Sequence, residues 1–117
     1  MFGSKGVPAT VGGVERHVEE LSRRLATAGF SVTVYARAWY TGRAPHSVRA
    51  LSDVRVVTLP SIRTKHLDAI SHTFLATVHA MRERADVYHF HGVGPSLLSW
   101  LPRIFRPHAR VVATFHC

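Results

Sequence analysis

The sequence predicts an α/β domain, a Rossmann-like, mostly parallel sheet with helices on both faces. Three observations carry that expectation. Runs of β-branched residues alternate with segments whose apolar residues recur every three to four positions, the order that builds parallel sheets covered by helices. A glycine-punctuated loop, Gly3 to Gly13, passes from the end of a strand at Met1 and Phe2 directly into an amphipathic helix. A further short strand ends in Gly92 and Gly94 with Pro95 behind them, a composition suited to a strand-to-helix turn.

Each element follows in order. Val14, Val18, Leu21, Leu25 and Ala28 fall on one helical face. Glu15, Glu19 and Glu20 lie toward the positive end of that helix, Arg23 and Arg24 toward the negative end, and Gly29 supplies the stop. Ser31 to Ala36 and Val54 to Leu59 read as strands, the second closed by Pro60. The stretch between them, Ala38 to Ser52, reads as a loop. From His66 to Arg84, the spacing of Leu67, Ile70, Phe74, Val78 and Met81 predicts a helix packed on that face. Asp86 to His91 is the next strand, and Pro95 opens a third helix that Pro102 must kink or end. Arg110 to Phe115 is apolar enough for a buried strand. The first strand keeps only Met1 and Phe2 although such a strand belongs mid-sheet, and the last one stops at His116 and Cys117. The chain is therefore expected to be a fragment, cut at both ends.

Size and charge bound the function. A chain of 117 residues makes one small domain. Fifteen Lys and Arg, thirteen of them Arg, against seven Asp and Glu give +8, which favours anionic partners and leaves nucleic acid, lipid headgroups and phosphorylated small molecules open. The one cysteine, Cys117, allows no internal disulfide, and no signal peptide or spanning apolar run is visible. A cytoplasmic location is the expectation.

The glycine loop carries the chemistry. Gly12 and Gly13, adjacent where a helix begins, leave the first N–H groups bare at the positive end of the dipole, where an anion such as a phosphate is favoured. Lys5 in the loop, and Arg16 and His17 one turn into the helix, are candidate contacts for that phosphate or for a second substrate. His89 and His91, two apart on a strand, share one face. They do not make a metal site, because no cysteine or carboxylate is spaced to supply the remaining ligands.

A loop of the form G-x-x-x-x-x-G-G-V-E-x-H-V-x-E-L-x-x-x-L, a strand x-G-x-x-V-T-V-Y, then D-V-Y-H-F-H-G-x-G-P and a closing V-V-A-T-F-H resembles the N-terminal domain of GT-B glycosyltransferases of family 4. The likeness spans nearly the whole chain. It implies the acceptor-side Rossmann-like domain of a two-domain enzyme, here residues 1–117, with the donor-binding C-terminal domain absent. The implied reaction moves a sugar from a nucleotide-diphosphate donor to a hydroxyl of a polysaccharide, glycolipid or lipid-linked acceptor, usually with retention. No cofactor or obligatory metal is implied; the nucleotide sugar is a substrate. The E-x-x-x-x-x-x-x-E element of the second domain has no counterpart here, so the isolated chain is expected to be inactive.

By the same resemblance, Gly12 and Gly13 match the paired glycines whose backbone approaches the donor diphosphate, and His116 matches the catalytic-centre histidine that hydrogen-bonds the transferring sugar. Cys117 stands where a glycine commonly follows. His89 and His91 are placed near the ligand edge, touching the acceptor or buttressing the loop. Trp39, Tyr40, Arg43, Arg49, Arg63, Lys65 and His66 make the middle of the chain basic and locally aromatic, which fits an acceptor-side surface resting on anionic membrane lipid at the inner face.

Two other classes remain as alternatives. An NADP-binding reductase gains support from Arg37 after the second strand, where a 2′-phosphate is met, yet Gly3, Gly6, Gly12 and Gly13 do not form G-x-G-x-x-G. A non-enzymatic anion- or nucleic-acid-binding module is favoured by the charge, yet no recognition helix or RNA-binding aromatic strand is present, so nucleic acid is not an expected partner.

Overall fold

The computed structural model describes residues 1–4, 13–41, 48–51, 54–61, 67–83 and 85–115. In chain order these form α1 (Gly13–Thr27), β1 (Val32–Arg37), α2 (Ala38–Thr41), β2 (Val48–Leu51), β3 (Val54–Leu59), α3 (Asp68–Arg82), β4 (Val87–His91), α4 (Val93–Ser96), α5 (Trp100–Phe105) and β5 (Arg110–Thr114). The architecture is α/β and Rossmann-like.

β1 and β3 pair in parallel from Val32↔Val54 to Arg37↔Leu59, and β4 and β5 in parallel from Val87↔Arg110 to His91↔Thr114. Met1 and Phe2 join these two sheets. Phe2 N–H donates to the His89 carbonyl at 2.8 Å and its own carbonyl accepts from His91 N–H at 2.9 Å. On the other side, Tyr35 N–H donates to the Met1 carbonyl at 3.2 Å, and the Met1 nitrogen donates to the Thr33 carbonyl at 2.7 Å. The spatial order is thus β2, β3, β1, residues 1–2, β4, β5. The chain leaves residues 1–2 toward β1 on one side and β4 on the other, which makes this the point where strand order reverses. Ligands of open α/β sheets bind in the crevice outside the carboxyl ends at such a point.

Both faces of the sheet are covered. Val32, Val34, Ala36, Val54 and Val56 point to one side and bury Val18 of α1, with Val14, Leu25 and Ala26 at its margin. Phe2, Tyr35, Val57, Leu59, Tyr88 and Phe90 point to the other and bury Ala76 and Ala80 of α3. Phe2 stacks on Tyr35, Tyr88 and Phe90 at centroid distances of 5.3, 6.1 and 4.8 Å. α1 ends as its sequence dictates: Gly29 has φ +101°, its N–H reaches the Ala26 carbonyl, and Phe30 N–H reaches that of Leu25. This pair of bonds closes the last turn and needs a residue tolerant of positive φ.

Several expectations are corrected. The stretch Ala38 to Ser52 is not wholly loop: it contains α2 and β2, and β2 pairs antiparallel with β3 from Val48↔Val57 to Leu51↔Val54. The short, arginine-bearing strand lies at the sheet edge, where polar residues are tolerated and periodicity is weak. α3 does not bury the face marked by Leu67 and Phe74, which is 48 % exposed; it buries His72, Thr73, Ala76, Thr77 and Ala80. The sheet already offers Tyr35, Tyr88 and Phe90 there, so the helix meets it with small side chains. Thr77 satisfies its hydroxyl on the Thr73 carbonyl at 2.7 Å.

Pro102 neither kinks nor ends the third helix. The break falls at 97–99, a stretch of i→i+3 bonds, and Pro102 sits in the first turn of α5, where a missing N–H costs nothing. β5 is not buried here: Arg110, Val112 and Ala113 are exposed, and β5 lies at the other edge of the sheet formed by the described residues.

Candidate functional site

At the carboxyl edge, beside the reversal point, the chain departs from the sheet through Gly3. Its φ is +102°, and a Cβ there would collide with the His91 carbonyl oxygen, so only glycine lets the chain turn this close to β4. Ser4 follows, buried, its hydroxyl without a hydrogen-bond partner among the described residues. The candidate residues Lys5, Gly12 and His116 lie outside the described residues. Gly13 opens α1 and is exposed, and a Cβ built on it would meet no described atom within 4 Å. The first turn also carries Glu15, which is buried, and Arg16, which is exposed.

Three of the candidate histidines are brought together. His89 and His91, on one face of β4, stack ring on ring with centroids 4.1 Å apart and planes 22° from parallel. The His17 ring meets His91 edge-on at 5.7 Å and 65°. His89 Nε2 lies 2.7 Å from Thr114 Oγ1, and Gly92 N–H donates to the Thr114 carbonyl at 2.8 Å. A column of imidazoles therefore runs from the surface at His17, through His91 at 1 % exposure, to the end of β5. Such a column can present ring N–H groups to phosphate oxygens, and N–H groups or lone pairs to sugar hydroxyls. Among the described residues no group of three or more His, Cys, Asp or Glu side chains is arranged to hold a metal.

On the β1 side of Gly3 lies a second cluster that sequence reasoning did not find. Arg37, at the end of β1 and 5 % exposed, donates from Nη1 to Asp68 Oδ2 at 2.6 Å. Its Nη2 makes a long 3.4 Å contact with the Gly3 carbonyl. Asp68, in the first turn of α3, also accepts from Trp39 Nε1 at 2.9 Å and Ser61 Oγ at 2.5 Å. Burial raises the Asp68 pKa, but the hydrogen bonds from Ser61 and Trp39 and the Arg37 charge outweigh it, and the carboxyl is held below its ordinary value. An arginine ending β1 and an acid opening α3 were the available signal, but nothing in their spacing says that the two meet.

The cluster also bears on two expectations. Arg37 points inward to a carboxylate, which removes the support it lent to a 2′-phosphate site. Trp39 is likewise engaged with Asp68 through its indole N–H, and the residue is half-buried. Arg43, Arg63, Lys65 and His66 lie outside the described residues, as does the side chain of Arg49. No helix among the described residues is long and apolar enough to cross a membrane.

Comparison with known proteins adds one finding. The model of a family described as Glycosyltransferase Family 4 matches residues 11–117, from the glycine pair to the last residue. No curated protein matches the chain.

Proposed function

The chain belongs to glycosyltransferase family 4, and from that premise we propose that it forms the acceptor-side part of an enzyme that moves a sugar from a nucleotide-diphosphate donor to a hydroxyl acceptor. The observation that carries this reading is the meeting, at one reversal point, of an open glycine helix start and a packed column of three imidazoles. The helix start offers N–H groups and a positive dipole end to a diphosphate. There they would stabilise the charge that gathers on the leaving nucleotide as the glycosidic bond breaks. His17, beside that start, would meet the phosphate or the acceptor. His91 and His89 would hold it in place or touch the acceptor themselves. Arg16, exposed on the same turn, and Lys5 would add cationic contacts. Gly12 would extend the bare amides of Gly13, and His116 would hydrogen-bond the transferring sugar near the reaction centre.

The finer reading has further parts: a second, donor-holding domain outside residues 1–117, retention of anomeric configuration, and no cofactor or metal. It also includes a polysaccharide, glycolipid or lipid-linked acceptor, and a cytoplasmic protein resting peripherally on anionic lipid at the inner membrane face. The test is a panel of nucleotide sugars offered to the full-length protein, read as released nucleotide with and without EDTA. Nucleotide release from one donor, unchanged by EDTA, is the expected result; no release from any donor overturns the reading. Sedimentation with phosphatidylglycerol vesicles at low salt tests the membrane part, and a protein that stays in the supernatant removes it.

A further inference from the structure

α5 and the helical turn before it carry large apolar side chains outward. Leu97, Trp100, Ile104 and Phe105 are each more than half exposed, while Leu101 and Pro102 of the same helix are buried. Steps of three and then four residues set Leu97, Trp100 and Ile104 on one side of the chain. That side is held in place. Leu101 and Pro102 pin the inner surface of α5, and Arg106 donates from Nε and Nη2 to the Met81 carbonyl at 3.0 and 2.7 Å, which ties the end of α5 to that of α3. A fixed patch of exposed aromatic and aliphatic side chains marks a binding surface.

Charge selects the partner. All seven acidic residues of the chain lie between Glu15 and Asp86, so the stretch from Val87 to the last residue has none, yet it holds Arg103, Arg106 and Arg110. Arg103 sits within the patch and Arg110 just after it, and both are exposed, as is His108. Between α5 and β5 a groove of about 660 Å³, lined by Ser99, Arg103, Pro107, Ala109, Val111 and Ala113, gives a headgroup phosphate room beside the Arg103 guanidinium. A second copy of this chain would set the same cations against each other, and a charge of +8 on each opposes that. An anionic bilayer satisfies both the cations and the apolar side chains.

We infer that Leu97, Trp100, Ile104 and Phe105, with Arg103 and Arg110, form a docking surface for an anionic lipid bilayer. The apolar side chains enter the headgroup boundary, Trp100 at the level where indole rings settle, while the arginines reach the lipid phosphates. The inference rests on the peripheral-membrane part of the proposed function and gives that part a place on the fold.

The test is sedimentation of the full-length protein with vesicles of phosphatidylglycerol and phosphatidylcholine, or of phosphatidylcholine alone. Wild type is compared with Trp100→Gln plus Ile104→Gln, with Arg103→Gln plus Arg110→Gln, and with Phe30→Gln, an exposed position past the end of α1. Wild type is expected to sediment only with the anionic vesicles. Loss of the two arginines should weaken binding about thirtyfold and loss of the two apolar side chains at least about tenfold, with Phe30→Gln within about twofold of wild type. Doubles that bind like wild type overturn the inference and leave membrane association standing elsewhere on the protein. A wild type that releases nucleotide but stays in the supernatant overturns it together with the membrane part, and sugar transfer survives. An equal loss in Phe30→Gln overturns it as unspecific adhesion. Two measurements on the free protein decide against the other occupants: a fall in the unfolding midpoint of either double would show the patch covered by the protein's own chain, and a dimer dissociated by Trp100→Gln plus Ile104→Gln would assign it to a second copy. Either result overturns the inference.

Discussion

At the scale of single residues, the most constrained position is Gly3. Gly3→Ala forces a Cβ into the space of the His91 carbonyl oxygen at a positive φ. The expected cost is more than about 2 kcal/mol, from strained backbone and displaced β4 together. Chemical denaturation reads it, and a midpoint equal to wild type would show that the strand ends are free to part. His72 makes a different demand. It is fully buried on α3, with Nε2 donating to the Ala36 carbonyl at 2.7 Å, and Nδ1 has no partner among the described residues. Burial, aided by the nearby Arg37 charge, lowers its pKa from 6.5 to about 4 although the bond to Ala36 opposes this. The folded form thus binds its proton less readily than the unfolded chain. His72 makes no pH-dependent difference above about 6.5, and folding stability falls as pH drops from there to about 4, by up to about 3 kcal/mol. Unfolding free energies measured across that window should show the slope in wild type and lose most of it in His72→Gln.

At the scale of elements, legibility followed the strength of the periodic signal. α1 was plain from sequence because its apolar face, its Glu19–Arg23 and Glu20–Arg24 pairs at 3.2 and 3.0 Å, and its glycine stop all agree. β1 and β3 were plain because both are rich in β-branched residues, Val32, Thr33 and Val34 in one and Val54, Val56, Val57 and Thr58 in the other. α3 was found, but its inward face was misread, since large residues signal burial in a sequence. Here the sheet supplies the bulk and the helix supplies Ala76, Thr77 and Ala80. β2 was missed because edge pairing leaves little trace in hydropathy.

The open surroundings of Gly13 make α1 a clean place to separate folding from binding. A Cβ at Gly13 meets no described atom within 4 Å and the residue is not at a positive φ, so Gly13→Val should leave stability within about 1 kcal/mol of wild type, the range of helix propensities. Its branched side chain should nonetheless crowd a diphosphate and cut nucleotide release in the full-length protein at least tenfold. Full activity in a folded Gly13→Val protein would move the anion elsewhere.

At the scale of the whole molecule, the location of the described candidate residues was legible where it depended on the carboxyl edge of the sheet and not where it depended on side chains meeting across elements. Placing Gly13, His17, His89 and His91 along one edge needed only strand order. The stacking of His91 on His89, and the convergence of Arg37, Trp39, Ser61 and Asp68, are tertiary outcomes with no local pattern. Composition pointed the same way throughout: a charge of +8 favours anions without saying which.

The two sheets share a seam two residues wide. Phe2 stitches it twice, by backbone bonds to β4 and by three stacked aromatic neighbours drawn from both halves. Phe2→Ala should cost about 3 to 5 kcal/mol. It should also split a single thermal transition into two, seen by calorimetry as a van't Hoff enthalpy below the calorimetric one. Unfolding would then begin as a tear along that line, and the crevice that lies over it would open before either half had melted.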